Sequence, residues 1–149
     1  MAAAIGWQAS DFQVRSGVTC VVRLPEEDLP LGREQATALF RIFQESLTNV
    51  ARHAQATKVW VHLGEEAGAV VLEVEDDGVG ISPMQLAELR SLGLLGMRER
   101  AAAFGGAMLS KSSGRRAKAP PSSCGCRLLI TRSPFRQALP DRSMRVVNA

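Results

Sequence analysis

Residues 43–54 read Phe-Gln-Glu-Ser-Leu-Thr-Asn-Val-Ala-Arg-His-Ala, and they decide the fold. Within this stretch Glu45, Asn49 and His53 recur every fourth residue. Successive members of such a series differ by about 40° round an α-helix, so the three side chains form one polar ridge. The other side of the helix is apolar, with Leu39, Ile42, Phe43, Leu47 and Val50. A ridge of acid, amide and imidazole on an apolar helix predicts contact with a ligand or a partner rather than with bulk water.

A glycine turn follows a predicted strand in residues 74–81, Val-Glu-Asp-Asp-Gly-Val-Gly-Ile. Gly78 and Gly80 let backbone approach a ligand closely, because no side chain intervenes. The Asp76 carboxylate, at the end of the strand, can accept a hydrogen bond from an exocyclic amine such as adenine N6. Asp77 should face the other way and cap the turn or be solvated. Together with the ridge, this turn predicts a nucleotide–metal site.

The three ridge residues suit different parts of such a site. The amide oxygen of Asn49 is a neutral hard ligand that suits Mg²⁺, an ion that binds mainly phosphate oxygens and water. Glu45 could orient a metal-bound water or act as a base, and His53 could donate to a phosphate oxygen. Each residue alone is more often structural than functional, so the hypothesis rests on their joint spacing and on the glycine turn.

The remaining pattern predicts an α+β fold with a mixed, mostly antiparallel sheet and helices on one face. The polar ridge belongs to a helix over residues 34–54. Gly93 and Gly96 bracket a backbone-rich connection that leads into a helix near Met97, whose N-terminus can attract phosphate. The predicted strands cover residues 18–24 (near a sheet edge), 57–63, 69–75 (a hairpin with its predecessor), 107–110 and 127–131, and the other helices cover 84–90 and 97–104.

The composition of the 149 residues suits one globular domain. No apolar run reaches the length of a membrane span, and the N-terminus has no signal-peptide pattern. Three cysteines, an odd number, favour a reducing compartment and a cytoplasmic domain. Cys124 and Cys126 have no second Cys/His pair nearby, so we interpret them as incidental thiols rather than metal ligands.

Basic residues concentrate near the C-terminus. Residues 1–110 hold 9 Lys/Arg and 14 Asp/Glu, whereas residues 111–149 hold 9 Lys/Arg and one acid, Asp141. A basic tail can bind nucleic acid or an acidic membrane. Here the charges are scattered without aromatic residues or a recognition helix, so we predict a solvated tail with no nucleic-acid or membrane contact.

Three motifs in order now carry a family resemblance over about residues 36–132. Residues 43–54 resemble the N box of the ATP-binding domain of sensor histidine kinases, residues 74–81 their G1 box, and residues 93–101 (Gly-Leu-Leu-Gly-Met-Arg-Glu-Arg-Ala) their G2 box. The Glu-x-x-x-Asn-x-x-x-His form is similar to that of the nitrate- and desaturase-sensor subfamily. The wider superfamily includes gyrase, Hsp90 and MutL ATPases and has the two-layer Bergerat sandwich fold.

The resemblance implies roles for individual residues. Asn49 would hold Mg²⁺, Glu45 and His53 would line the phosphate side, and Asp76 would recognise adenine. The implied set of catalytic residues is Glu45 and Asn49, and the implied ATP-binding set is Asn49, His53, Asp76, Gly78, Gly80, Ile81, Gly93, Leu94, Gly96, Met97 and Cys126. Within the ATP-binding set, Met97 would pack in the pocket wall.

Two positions depart from the family pattern. Ser91 stands where the G2 box usually begins with glycine, which would stiffen the lid over the nucleotide. Cys126 follows Gly125 where the family has threonine, and a thiol is a weaker hydrogen-bond partner than a hydroxyl. The expected organisation is a linker over residues 1–16, an ATP-binding catalytic domain over 17–133 and a C-terminal tail over 134–149.

The chain contains no helix that suits a phosphoacceptor histidine, since His53 and His62 lie in the N box and in a strand. The resemblance therefore implies a histidine kinase that phosphorylates a separate helical dimerisation domain, with a response regulator downstream and a parent protein that could be membrane-anchored. The chain would be a catalytic fragment or a stand-alone subunit. Two alternatives stay open: a serine kinase of the anti-sigma type on the same fold, and a non-enzymatic nucleotide-sensing module.

Overall fold

The structure is a computed structural model that describes residues 1–79, 93–103, 106–112, 124–131 and 144–148. Three α-helices, one π-helical turn and six strands make up these residues. In chain order they are α1 (Ala2–Ser16), β1 (Thr19–Pro25), α2 (Arg33–Asn49), the π-helical turn (Val50–Ala54), β2 (Lys58–Glu66), β3 (Ala69–Asp76), α3 (Gly93–Ala103), β4 (Ala107–Ser112), β5 (Cys124–Thr131) and β6 (Met144–Asn148).

The strands form one mixed sheet in the order β4-β5-β3-β2-β1-β6. Strands β1 and β2 are parallel, which requires a crossover connection, and α2 supplies it. The other four neighbouring pairs are antiparallel. The predicted α+β class, with a mixed and mostly antiparallel sheet, is confirmed.

One face of the sheet is apolar and carries the helices. Register places Val61 beside both Val22 and Val74, and all three side chains are at most 3% exposed. Leu39, Ile42 and Phe43 of α2 are fully buried in the same cluster, so the predicted apolar side of this helix is confirmed. Every second side chain of each strand and the apolar side of α2 therefore pack together in one core.

The predicted helix over residues 34–54 is α-helical only as far as Asn49. It starts after Gly32, whose amide donates to the side-chain oxygen of Gln35 at 3.1 Å. Residues Val50–Ala54 form a π-helical turn, and Gln55 then leaves the helix with a left-handed φ of 52°. A π-helical turn bonds residue i to i+5, so His53 lies outside the α-helix that carries Glu45 and Asn49.

Two terminal predictions need correction. Residues 2–16, expected to be a linker, form α1, which buries Ile5, Ala9 and Phe12 against the core. Strand β6 lies within the predicted tail and pairs antiparallel with β1. Strand β1 consequently lies between β2 and β6, one strand away from the sheet edge, which agrees with its predicted place near an edge. Strand β6 has only five residues and its partner β1 lies more than 100 residues earlier, so the local sequence gives little indication of it.

The hairpin prediction for β2 and β3 is confirmed, although its turn is tighter than expected. Only Ala67 and Gly68 separate the strands, with φ values of 48° and 79°. Helix α3 begins at Gly93, in the segment predicted as a connection before Met97. The predicted helix over residues 84–90 lies outside the described residues. Among the helices that are described, none has the length and hydropathy needed to span a membrane.

Candidate functional site

The polar ridge divides into two parts. Glu45 and Asn49 share the last turns of α2, where both side chains are half-buried beside the fully apolar core. His53 lies in the π-helical turn and is exposed. π-Helical turns are rare in proteins as a whole, but those that occur are often found at functional sites. The sequence spacing alone could not distinguish this arrangement from one continuous α-helix.

The glycine turn lies against the end of this ridge segment. The Val79 amide donates to the carbonyl oxygen of Ala54 at 2.9 Å, which joins the glycine turn to the last residue of the π-helical turn. A Cβ atom at Gly78 would lie 2.2 Å from the same oxygen. Only glycine permits this approach of two backbones. The structure thus brings the C-terminal end of the ridge helix and the glycine turn together, as a shared site requires.

Asp76 is the one buried carboxylate among the described residues, with 6% of its surface accessible. It ends β3 opposite Val59, and its Oδ1 accepts a hydrogen bond from the Gly78 amide at 2.9 Å. Burial raises the pKa of this carboxyl, although the Gly78 amide lowers it, and the nearby charge of Asp77 adds to the rise. A buried acid at a strand end, beside backbone that only glycine can form, is not part of the solvated surface and is a candidate for ligand recognition.

Asp77 is predicted to cap its own turn or to be solvated, but in the structure its carboxylate binds the residues at the start of β2 instead. Its Oδ1 accepts hydrogen bonds from the amides of Thr57 at 2.8 Å and Lys58 at 2.9 Å. Its Oδ2 accepts one from the Thr57 hydroxyl at 2.7 Å. Partial burial works against the charged carboxylate, but these hydrogen bonds outweigh it and lower the pKa of Asp77. The partners lie 20 and 19 residues earlier in the chain, so only the pairing of β2 and β3 reveals them.

The structure describes five of the remaining predicted site residues. Gly93, Leu94, Gly96 and Met97 all lie in the first two turns of α3. Met97 is 1% exposed and belongs to the core cluster, whereas Gly96 is half-buried. In β5, Cys126 pairs with Val74, two residues before Asp76. Gly80, Ile81 and Ser91 lie outside the described residues.

The side chains at this site suit a metal ion that takes most of its coordinating oxygens from a bound phosphate compound and from water. No group of three or more His, Cys, Asp or Glu within the described parts of the chain could hold a metal ion by itself. Asn49 and Glu45, one helical turn apart, instead present one amide and one carboxylate at a half-buried position. A small set of oxygen donors suits Mg²⁺, which keeps several waters and takes most of its other ligands from phosphates.

Comparison with known proteins identifies the family of this chain. Residues 34–132 match the family described as "Histidine kinase-, DNA gyrase B-, and HSP90-like ATPase". The chain is 37% identical over 82 residues to the signal transduction histidine-protein kinase/phosphatase UhpB of Salmonella typhimurium, a match that covers 55% of this chain and 16% of UhpB. It is 36% identical over 104 residues to the sensor histidine kinase MctS of Rhizobium johnstonii, with coverage of 68% and 23%. The chain therefore spans less than a quarter of these curated relatives.

Solved structures show the same fold at low identity. The Erythrobacter litoralis EL346 blue-light activated histidine kinase superposes with a TM-score of 0.65 at 20% identity, covering 87% of this chain and 44% of that one. The mycobacterial sensor histidine kinase MprB superposes with a TM-score of 0.60 at 18% identity, covering 86% and 93%. The family match includes the ridge, the glycine turn, α3 and β5. The chain belongs to the family of histidine kinase-, DNA gyrase B- and HSP90-like ATPases.

Proposed function

We propose that this chain is the ATP-binding catalytic domain of a two-component sensor histidine kinase of the nitrate- and desaturase-sensor type. In the complete kinase it would transfer the γ-phosphoryl group of Mg·ATP to a histidine on a separate helical dimerisation domain, for relay to a response regulator. The observation that carries this proposal is the buried Asp76 carboxylate, held beside a glycine turn whose backbone touches the end of the ridge helix.

Asp76 is proposed to recognise adenine. Within the described residues, only the Gly78 amide donates to its carboxylate, and that bond engages Oδ1. Oδ2 can then accept the hydrogen bond of the adenine N6 amine. A charged acceptor in a buried position makes a strong hydrogen bond, and a base without that amine would leave the carboxylate unpaired. Gly78, together with Gly80 and Ile81, would complete the wall of the base pocket.

Asn49 is proposed to bind Mg²⁺ through its amide oxygen. When bound, the ion would neutralise phosphate charge, which is its usual contribution to phosphoryl transfer. Glu45, one turn earlier, would orient a water molecule or act as a base, and His53 would donate to a phosphate oxygen. These roles make positioning and charge stabilisation the main contributions of this chain to the reaction.

The phosphates are proposed to lie near the start of α3. Helix α3 packs against α2, so its first turn and the ridge belong to neighbouring elements. The free N–H groups in the first turn of a helix attract anions. Gly93, Leu94 and Gly96 contribute backbone to this end of the helix. Met97, fully buried, would anchor the segment to the core, and Cys126 in β5 would lie near the base.

The first test is nucleotide binding by the isolated chain, measured by calorimetry with ATP in Mg²⁺ and in excess EDTA. We expect Mg²⁺-dependent binding by the wild type. Asn49→Ala should weaken ATP binding in Mg²⁺ at least about tenfold, the effect of one lost polar contact to a charged group, with much less change in EDTA. Thr37→Ala, on the exposed part of α2, is the matched control. Unchanged Mg²⁺-dependent binding by Asn49→Ala would reject the metal assignment.

A second test separates the three possible activities of this fold. The chain is incubated with γ-labelled ATP and a histidine kinase dimerisation domain supplied in trans. Acid-labile label on the acceptor histidine supports the proposal. Acid-stable label on a partner serine would favour an anti-sigma-type kinase, and binding without any transfer would favour a nucleotide-sensing module. Without an acceptor, we expect binding with little turnover.

A further inference from the structure

Asp77 makes an unusually dense set of contacts with one short segment. Its carboxylate accepts three hydrogen bonds, from the Thr57 amide, the Thr57 hydroxyl and the Lys58 amide, at 2.8, 2.7 and 2.9 Å. Its own amide donates to the Lys58 carbonyl at 3.2 Å. Four hydrogen bonds therefore connect Asp77 to two consecutive residues.

These bonds lie where two strands and the ridge helix meet. The ladder between β2 and β3 ends at the pair Val59 and Asp76. Asp77 extends the contact beyond this pair, to the residues through which the chain passes from the π-helical turn into β2. On the other side of Gly78, the Val79 amide is bonded to Ala54. Residues 77–79 are thus hydrogen-bonded at both ends to residues 54–58.

The fastening determines where the Asp76 carboxylate can lie. Asp76 is held on one side by its ladder pairing and on the other by Asp77, and its Oδ1 is bonded to the Gly78 amide within the same segment. A recognition group must be held to about 0.5 Å for a hydrogen bond to be effective. Releasing Asp77 would leave Gly78 held at one end only, by the bond between Val79 and Ala54, and the Asp76 carboxylate could then shift.

We propose that Asp77 is a positioning residue that sets the preference of the site for adenine over guanine by clamping the Asp76–Gly78 segment to Thr57 and Lys58. This inference rests on the proposed adenine role of Asp76. Asp77 itself would touch no nucleotide. It acts through the backbone, and the Thr57 hydroxyl donates the one side-chain hydrogen bond that holds it.

Base selectivity distinguishes this role from a purely structural one. Adenine presents an N6 amine donor, whereas guanine presents the O6 acceptor at the equivalent position. A well-placed carboxylate therefore attracts the first base and repels the second. A substitution that only lowers the folded fraction weakens ATP and GTP binding by the same factor. A substitution that misplaces Asp76 lowers the ratio of ATP affinity to GTP affinity.

The experiment measures dissociation constants for Mg·ATP and Mg·GTP by calorimetry, well below the melting temperature of every variant. Asp77→Ala should lower the ATP:GTP affinity ratio about tenfold, because it removes the three hydrogen bonds to the Asp77 carboxylate that position Asp76. Asp77→Asn is the conservative control, because its amide oxygen can still accept from both backbone amides and its NH₂ can donate to the Thr57 hydroxyl. It should keep the ratio within about threefold of the wild type.

A second pair of variants tests the clamp without changing Asp77. Thr57→Val removes one of the three bonds to the carboxylate and should lower the ratio about threefold, whereas Thr57→Ser keeps the hydroxyl and should not. If Asp77→Ala does not fold, this pair decides the result. Asp76→Asn serves as the reference, and it should abolish the preference for ATP.

The outcomes distinguish the adenine role of Asp76 from the positioning role of Asp77. A wild-type chain with no preference for ATP, or one whose preference survives Asp76→Asn, would refute the adenine role of Asp76 and this inference with it. A preference that Asp76→Asn abolishes but that Asp77→Ala and Thr57→Val leave intact would refute this inference alone. Equal losses of ATP and GTP affinity in the Asp77 and Thr57 variants would also refute it, since they indicate a structural role only.

Discussion

Gly78 and Ala54 approach so closely that a Cβ atom at Gly78 would lie 2.2 Å from the Ala54 carbonyl oxygen and 2.8 Å from its carbonyl carbon. Contacts below about 3 Å are prohibitive when the neighbour is backbone, because no side chain can rotate away. The end of the π-helical turn and the glycine turn are therefore in direct backbone contact. This contact, rather than a left-handed φ, is the reason that position 78 requires glycine.

Gly78→Ala is expected to destabilise the fold and to weaken ATP binding together. The added methyl group must push apart the Ala54 and Gly78 backbones, a distortion that typically costs about 1–3 kcal/mol or more. The free energy of unfolding in urea measures the first effect and calorimetry with Mg·ATP the second. Gly6→Ala in α1 is the matched control, because the new Cβ would meet only the end of the Leu24 side chain, at 3.3 Å. Equal stability of the two variants would contradict the close contact.

Asp76→Asn is expected to stabilise the nucleotide-free chain at neutral pH while it weakens ATP binding. Burial raises the pKa of Asp76 in the folded state. A group with a raised folded-state pKa favours folding below its unfolded pKa, and this contribution is lost as pH rises through the folded pKa. At neutral pH the wild type therefore holds a buried charge that the asparagine variant lacks.

Thermal unfolding at a series of pH values tests this prediction. At pH 7.5 the melting temperature of Asp76→Asn should exceed that of the wild type, and in a chain of this size each 1 kcal/mol of added stability corresponds to about 2–4 °C. The difference should disappear below pH ~4, near the unfolded pKa of aspartate, where the wild-type carboxyl is also neutral. A difference that is independent of pH would show that the charge of Asp76 is not its cause.

The sequence predicted those parts of the fold whose signals are local. The apolar side of α2 follows from the spacing of residues such as Leu39 and Phe43, and the β2–β3 hairpin follows from two β-rich runs around a short turn. The prediction of a shared site for the ridge and the glycine turn came from motif chemistry. The backbone contact between Ala54 and Gly78 places these segments together.

The parts that could not be predicted depend on distant contacts. The π-helical turn contains no glycine or proline to set it apart from the α-helix before it, and its i→i+5 bonding leaves no mark on the sequence. Strand β6 has five residues and pairs with β1, more than 100 residues earlier. The clamp formed by Asp77 is equally non-local. An acid after a strand is usually a turn cap, and its partners at Thr57 and Lys58 depend on the strand register.

Ala67→Gly is expected to stabilise the fold without affecting nucleotide binding. Ala67 adopts a left-handed φ of 48° in the two-residue hairpin turn, next to Gly68. For a residue with a Cβ this conformation costs about 1–2 kcal/mol, and glycine avoids that cost at the expense of some chain entropy. The expected gain is roughly 0.5–1 kcal/mol in the free energy of unfolding. Gly68→Ala, at φ 79°, should lose stability instead, and a gain in that variant would contradict the turn geometry.

Ile5→Ala is expected to destabilise the chain because α1 belongs to the core rather than to a linker. Ile5 is fully buried in the same cluster as the α2 and sheet side chains, whereas Trp7, two residues later, is 68% exposed. Removing a buried isoleucine side chain typically costs about 2–5 kcal/mol, and an exposed substitution stays within about 0.5 kcal/mol. Urea unfolding of Ile5→Ala and of the matched control Trp7→Ala compares the two faces of one helix. If residues 1–16 were a linker, neither variant would change the midpoint, and the packing of α1 on β1 would be refuted.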